Sequence, residues 1–253
     1  MKAIEEVLIR MDQIVADCKA SQSRIGYFAI LYRQVTRRVR DGILAGEFED
    51  NLRMERLDVL FAKRFIDAYT AWNMGITTTQ SWSLAFDASK TSGHLVLQHL
   101  FLGINAHINL DLGIAASETM IDKEIAGIQS DFNQINALLS ELVDGVKANI
   151  SVVSPIFGWL VPLAKGRDEM LLNFSIQIAR DGAWKFAGEY HADPNKDFQI
   201  SDRDKNISKL AQKLIKPGKF LAVIVKIVGL LEWKSVSRTM DQLDVVVEKA
   251  ANQ

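Results

Sequence analysis

The sequence has a single cysteine, a net charge close to zero and no uninterrupted apolar run long enough to span a bilayer. Cys18 alone excludes intrachain disulfides and cysteine-rich zinc modules, and it fits a reducing compartment. A net charge of −1 supplies no overall field to draw nucleic acid or an anionic membrane. The longest apolar stretch, Phe220 to Leu231, is interrupted by Lys226 and falls short of the ~20 residues that a transmembrane helix needs. The opening Met1-Lys2-Ala3-Ile4-Glu5-Glu6 carries acids where a secretory signal carries apolar residues, so a cytoplasmic protein is expected. Also missing are the GxGxxG and GxxxxGKS/T phosphate loops, the GxSxG elbow, HExxH, EF-hand loops and nucleic-acid modules. No nucleotide cofactor and no nucleic-acid partner is therefore expected. There is no strand-like alternation, no repeat and no low-complexity tract.

What is present is helical periodicity. Hydrophobic residues make up 48% of the 253 positions and charged residues 24%, enough for a substantial core. Ile4, Val7, Leu8, Met11, Ile14, Val15 and Cys18 follow three-and-four spacing. So do Ile25, Phe28, Tyr32, Val35, Val39 and Ile43, with Gly46 as a C-terminal cap. Further helices are expected over 51–73, 82–88, 92–119 and 122–150. Pro155, Gly158 and Pro162 read as a loop, 167–190 as a helix, and the polar stretch His191 to Arg203, with Pro194, as a linker. Three shorter helices follow near 204–215, 219–232 and 235–250. The fold class is all-α: a multi-helix bundle around a long buried central helix, with a C-terminal helical appendage. One helical domain spans 1–253, its core reaching about residue 190 and its C-terminal helical subdomain covering about 204–253.

The central helix holds the ionisable groups. His94, His99, His107 and Asp111 all fall within it, and residues four apart place His99, Gly103, His107 and Asp111 on one ridge. His107 and Asp111 can converge on one point. His99 is ~12 Å from His107 along the axis, with space left by Gly103 between them. A second polar edge carries Gln98, Asn105 and Asn109, and leucines and isoleucines fill the remaining angles. A helix apolar nearly all round is buried all round, and burying His, Asp and Asn is costly unless they are hydrogen-bonded, paired or metal-bound. Either an internal polar network or a site follows. Imidazole with carboxylate suits one divalent ion of zinc, iron or manganese, for which His107, Asp111, Asp131 and His99 are the candidate ligands.

Arg64 interrupts the apolar stripe of the third helix and needs a carboxylate partner, for which Asp67, Asp111 and Asp131 are candidates. A pairing with Asp111 would argue against a metal there. Asp58, Asn105, Arg180 and Asp181 complete the candidate supporting network. Arg180 and Trp184, four apart, are placed for cation–π stacking at a surface or pocket wall. The cluster Arg33, Arg37, Arg38 and Arg40 beside Asp41 reads as a solvated face. The apolar helix at 219–232, with lysines at its margins, reads as a packing helix ahead of a membrane-surface or oligomer contact.

Four segments read together resemble an uncharacterised bacterial all-helical family known only as a domain of unknown function. They are Arg53 to Ala62, Leu97 to Leu112, Asp131 to Asn136 and Ala179 to Trp184. The string LQHLFLGINAHINLDL of the central helix is the most distinctive. This resemblance implies a fold and the importance of those positions, and no activity. Separately, the His-x3-Asp spacing is similar to that on zinc-binding helices of phospholipase C and P1-type nucleases. That similarity is limited to the spacing, since those enzymes use many histidines and this chain has four. It implies a metal-dependent hydrolase acting on an unknown small molecule in the bundle core. The alternatives are a non-catalytic binding or interaction protein with a structural polar core, a homo-oligomer included, and a small-molecule or lipid carrier.

Overall fold

The computed structural model describes residues 2–155 and 176–250. Among the described residues there is no strand, and eleven α-helices account for the fold. They are α1 (Lys2–Ser21), α2 (Ile25–Ala45), α3 (Asn51–Asn73), α4 (Gln80–Ser89), α5 (Val96–Ala106), α6 (Leu112–Thr119), α7 (Gln129–Val153), α8 (Ile176–Ala192), α9 (Lys196–Ile215), α10 (Lys219–Leu231) and α11 (Val236–Ala250). The expected loop through Gly158 and Pro162 lies outside the described residues, as does the first half of the helix expected from Arg167.

The apolar stripes predicted from spacing are the buried ones. Ile4, Val7, Leu8, Met11, Ile14 and Cys18 of α1 are buried, as are Ile25, Phe28, Tyr32, Val39 and Ile43 of α2. α2 ends where expected: Gly46 takes a left-handed φ of 73°, a conformation open to glycine without Cβ strain, and its N–H returns to the Ile43 carbonyl. Parts of α9 and α11 pack into the same core. Ala211 and Leu214 of α9 and Val236, Met240 and Leu243 of α11 share one apolar cluster with α1, α2, α4 and α5. Arg33 helps to lock that arrangement. Instead of facing solvent, it is buried on α2, with Nη1 donating to Asp12 at 2.7 Å and Nη2 to Asp244 at 2.5 Å.

Three buried acids from distant segments cap helix starts, where unpaired N–H groups and the helix dipole favour negative charge. Asp131 accepts from the N–H groups of Glu49 and Asp50 ahead of α3, Asp204 from those of Gln80 and Ser81 at α4, and Glu232 from that of Val96 at α5. These acids stitch the bundle together because each lies far along the chain from the helix it caps.

Two boundaries differ most from the sequence reading. The polar stretch 191–203 is helical for most of its length: α8 runs to Ala192 and α9 starts at Lys196, with the Asn195 side chain accepting from Phe198 N–H. Polar residues there form the wet face of a helix, which composition alone reads as a linker. The helix expected from Asp122 begins only at Gln129, since Asp122 has φ 60° and a short 3-10 turn, Ile125–Ile128, intervenes.

The central helix is buried as expected. By length and composition Val96–Thr119 is apolar enough to cross a membrane, but 89% of the relevant stretch is packed inside the protein. Gly113 permits this packing: a Cβ there would lie 2.9 Å from the Ala183 carbonyl oxygen, so α6 and α8 meet backbone to backbone.

Candidate functional site

The central helix is not regular. His107–Asp111 forms one turn of π-helix between α5 and α6, in which Leu112 N–H bonds to the His107 carbonyl five residues back. Such turns displace side chains from α-helical register and recur at functional sites. His94 lies outside the helix, which starts at Val96, and its Nδ1 pairs with Thr91 Oγ1 at 2.9 Å.

The π-turn aims Asp111 at three N–H groups from three elements. Arg64 Nε of α3 donates to Oδ1 at 2.9 Å, Trp82 Nε1 of α4 donates to Oδ2 at 2.9 Å, and His107 Nδ1 lies 3.2 Å from Oδ2. Asp111 and His107 are each 1% exposed. Burial by itself would raise the Asp111 carboxyl, but the His107 hydrogen bond and the Arg64 charge outweigh it and hold the carboxyl below its ordinary range. Burial pushes His107 down, against the pull of Asp111, so its imidazole is neutral at pH 7. The ionised carboxylate fixes Nδ1 as the protonated nitrogen and leaves the Nε2 lone pair as an acceptor.

The His107 ring is packed among aromatic side chains. It stacks on Phe61 with centroids 3.6 Å apart and meets the Tyr32 ring edge-on at 4.2 Å. Tyr32 is close enough to Asp58 for its phenol to feel that carboxyl, and Thr36 is one turn further along α2. His107 Nε2 and Asp58 Oδ2 are buried without a hydrogen-bond partner, and the buried hydroxyls of Tyr32 and Thr36 have no partner beyond each other. Burial pushes the Asp58 carboxyl up to about 8, so it is protonated at neutral pH, and it keeps the Tyr32 phenol neutral. Tyr32, Thr36, Asp58 and His107 thus place buried, uncharged polar atoms close to the π-turn.

A protein-family model, described as a family of unknown function, DUF5995, matches residues 4–217. The chain belongs to that family. No curated protein and no solved structure matches it. Every residue of the π-turn neighbourhood in this DUF5995 member falls within the matched span, which ends just before α10.

Of the four candidate metal ligands, the structure brings together His107 and Asp111 and places the other two elsewhere. His99, on the same helix, lies against Tyr27 and His94, with ring centroids 5.9 and 5.7 Å away, and neither of its nitrogens has a hydrogen-bond partner. The gap expected at Gly103 is filled by Phe28, whose ring lies 2.4 Å from where a Cβ would stand. Asp131 caps α3 and pairs with Arg53 Nη2 at 2.5 Å. Asp111 is already shared among three donors. Among the described residues no group of three or more His, Cys, Asp or Glu is placed to hold an ion. These side chains do not make the donor set of a zinc, iron or manganese site.

The supporting residues divide in the same way. Arg64 is Asp111's partner, and Asp58 joins Tyr32. Asn105 belongs to a separate seam: its Nδ2 donates to the Ile207 carbonyl at 3.1 Å, while Gln98 Nε2 donates to that of Leu214 at 2.6 Å, tying the central helix to α9. Arg180 is buried rather than at a surface. It lies over the Phe132 ring, 4.6 Å from the centroid, donates to the Phe132 carbonyl, and is pushed down to about 10 by burial. Asp181 beside it is exposed. Sequence reasoning missed Tyr32, Thr36 and Trp82. The available signal was a tyrosine and a threonine one turn apart on an otherwise apolar stripe.

Proposed function

We propose that this protein binds a small, uncharged polar molecule beside the π-turn, and that His107 acts on it as a general base in a hydrolytic reaction. The observation that carries this reading is His107 Nε2: wholly buried, without a protein partner, and held in its acceptor tautomer by Asp111. An Asp–His pair with a free Nε2 is the arrangement by which imidazole accepts a proton from bound water or a hydroxyl. The ligand is uncharged because the facing groups are neutral and desolvated, and Arg64 is committed to Asp111. The Asp58 and Tyr32 hydroxyls would donate to a carbonyl oxygen. No metal step is required.

The test is turnover of a panel of small neutral esters and amides by wild type and His107→Gln. A general base contributes about a hundredfold or more, so the variant should lose activity by that factor while keeping its helical circular dichroism. A wild type inactive on the whole panel, or a variant as active as wild type, would overturn the reading.

A second reading, a non-catalytic interaction protein whose polar core only fixes helix register, is favoured by the complete use of Asp111 within the fold. It predicts no turnover and a large stability loss when Asp111 is truncated.

A further inference from the structure

The near-zero net charge of the chain conceals a strong local asymmetry. Residues 213–238 carry Lys213, Lys216, Lys219, Lys226, Lys234 and Arg238, all exposed, against one acid, Glu232, which is buried on the Val96 N–H. That stretch holds +5 (six basic minus one acidic), so the rest of a chain of net −1 holds −6. At its centre lies α10, outside the family match.

α10 is apolar on both sides. Leu221 and Val228 are buried and anchor it, Gly229 faces Leu95, and Glu232 and Trp233 fix its end, the Trp233 N–H donating to the Val153 carbonyl at 2.9 Å. The opposite face points outward, with Val223 57%, Ile227 43%, Leu230 79% and Leu231 54% exposed. Helical spacing puts these four on one stripe, with Lys219 and Lys226 along its edge. Past the helix end Trp233 packs against the core, with the Arg238 guanidinium 5.3 Å from its ring centroid. The expectation of a fully packed helix is thus half met: the lysines flank an apolar surface that faces away from the core.

From this we infer that α10 is a docking surface for an anionic lipid bilayer, its apolar stripe entering the headgroup boundary while the surrounding lysines engage lipid phosphates. Two features on one face carry the inference. Exposed aliphatic side chains gain by leaving water, and Lys219 and Lys226 along the edge of the stripe, in a stretch with no exposed acid, complement a negative surface. A twofold self-contact through this face would bring Lys219 and Lys226 of both copies together, with no exposed acid in 213–238 to offset them.

The experiment is co-sedimentation of the full chain with large vesicles of phosphatidylcholine alone and of phosphatidylcholine with 30% phosphatidylglycerol, at low and at 0.5 M salt. The full chain should bind the anionic vesicles and not the zwitterionic ones, and binding should fall at least tenfold in high salt. V223D/L230D, at outward positions that leave Leu221 and Val228 intact, should lose binding tenfold or more with an unchanged melting temperature, and K219E/K226E should weaken it. Absence of binding to anionic vesicles, or equal binding by V223D/L230D, would overturn the inference. So would dimerisation in sedimentation velocity that V223D/L230D abolishes while vesicles bind neither protein; the face would then be a self-contact.

Discussion

His99 and His107 lie about two turns apart on one buried helix, yet their surroundings are opposite. His107 gives one nitrogen to Asp111, which in turn holds Arg64 and Trp82, so a carboxylate, a guanidinium and two aromatic N–H groups form one connected centre. His99 has aromatic and histidine neighbours and no hydrogen bond, and burial pushes it down to about 3. The π-turn separates the two cases. It begins at His107 and ends at Asp111, so the helix carries its own carboxylate there, whereas around His99 it stays in ordinary α register. The same residue type in the same buried helix is thus an oriented imidazole at one end and a desolvated ring at the other. Burial alone does not orient an imidazole; a buried partner does.

The largest effect should come from breaking the held end. Asp111→Ala leaves the Arg64 charge and the Trp82 and His107 N–H groups without their acceptor, at a cost of about 3–5 kcal/mol. Thermal unfolding at pH 7 should show a melting temperature lower by roughly 10 °C. A fall of only a degree or two would mean that Arg64 swings to water and that the network contributes little to holding the helices.

Asp58 gives a smaller effect whose sign depends on pH. Its folded carboxyl sits at about 8 against 3.8 for the free group, so the native state holds the proton more tightly than the unfolded chain. The stability tied to that proton is fully present below about pH 4 and is lost as pH rises through 8. Asp58→Asn, neutral at every pH, should match wild type near pH 4 and exceed it by a few kcal/mol at pH 9. A difference between the two melting temperatures that does not change with pH would show that Asp58 is ionised in the fold.

His99 gives the smallest. With its folded value at about 3 against 6.5, the native state refuses a proton that the unfolded chain accepts, so stability is lost as pH falls from 6.5 toward 3. His99→Leu removes that loss and should stabilise the protein by about 1–2 kcal/mol at pH 5, and by less at pH 7.5. If the variant is instead less stable at both pH values, His99 has a partner in solution, and the contrast with His107 narrows.

Much of the fold was legible because helical spacing is a local property. Asn51–Asn73 was readable end to end, and Gly46 marked a helix end for a reason contained in its own backbone. The π-turn had no such mark. The partners that Asp111 reaches from it lie on α3 and α4, and no spacing in the central helix records them. Asp131 read as a loose edge acid because its role, capping a helix about 80 residues earlier, appears only when α7 meets the start of α3. Arg33 read as a surface cation for the same reason, its two carboxylates coming from α1 and α11. α10 shows the reverse error. Its apolar run invited burial, and the tertiary arrangement covers only one side of it.

By itself, then, the sequence determined the helices, their apolar stripes and a buried central helix loaded with His, Asp and Asn, because periodicity and composition act within a few turns of chain. The tertiary structure decided which of those polar groups found partners, since a buried charge is settled by whatever donor the packing brings within about 3 Å. That choice gave Asp111 its arginine, put Asp131 on a helix start, left His99 with neither, and turned one face of α10 to the outside.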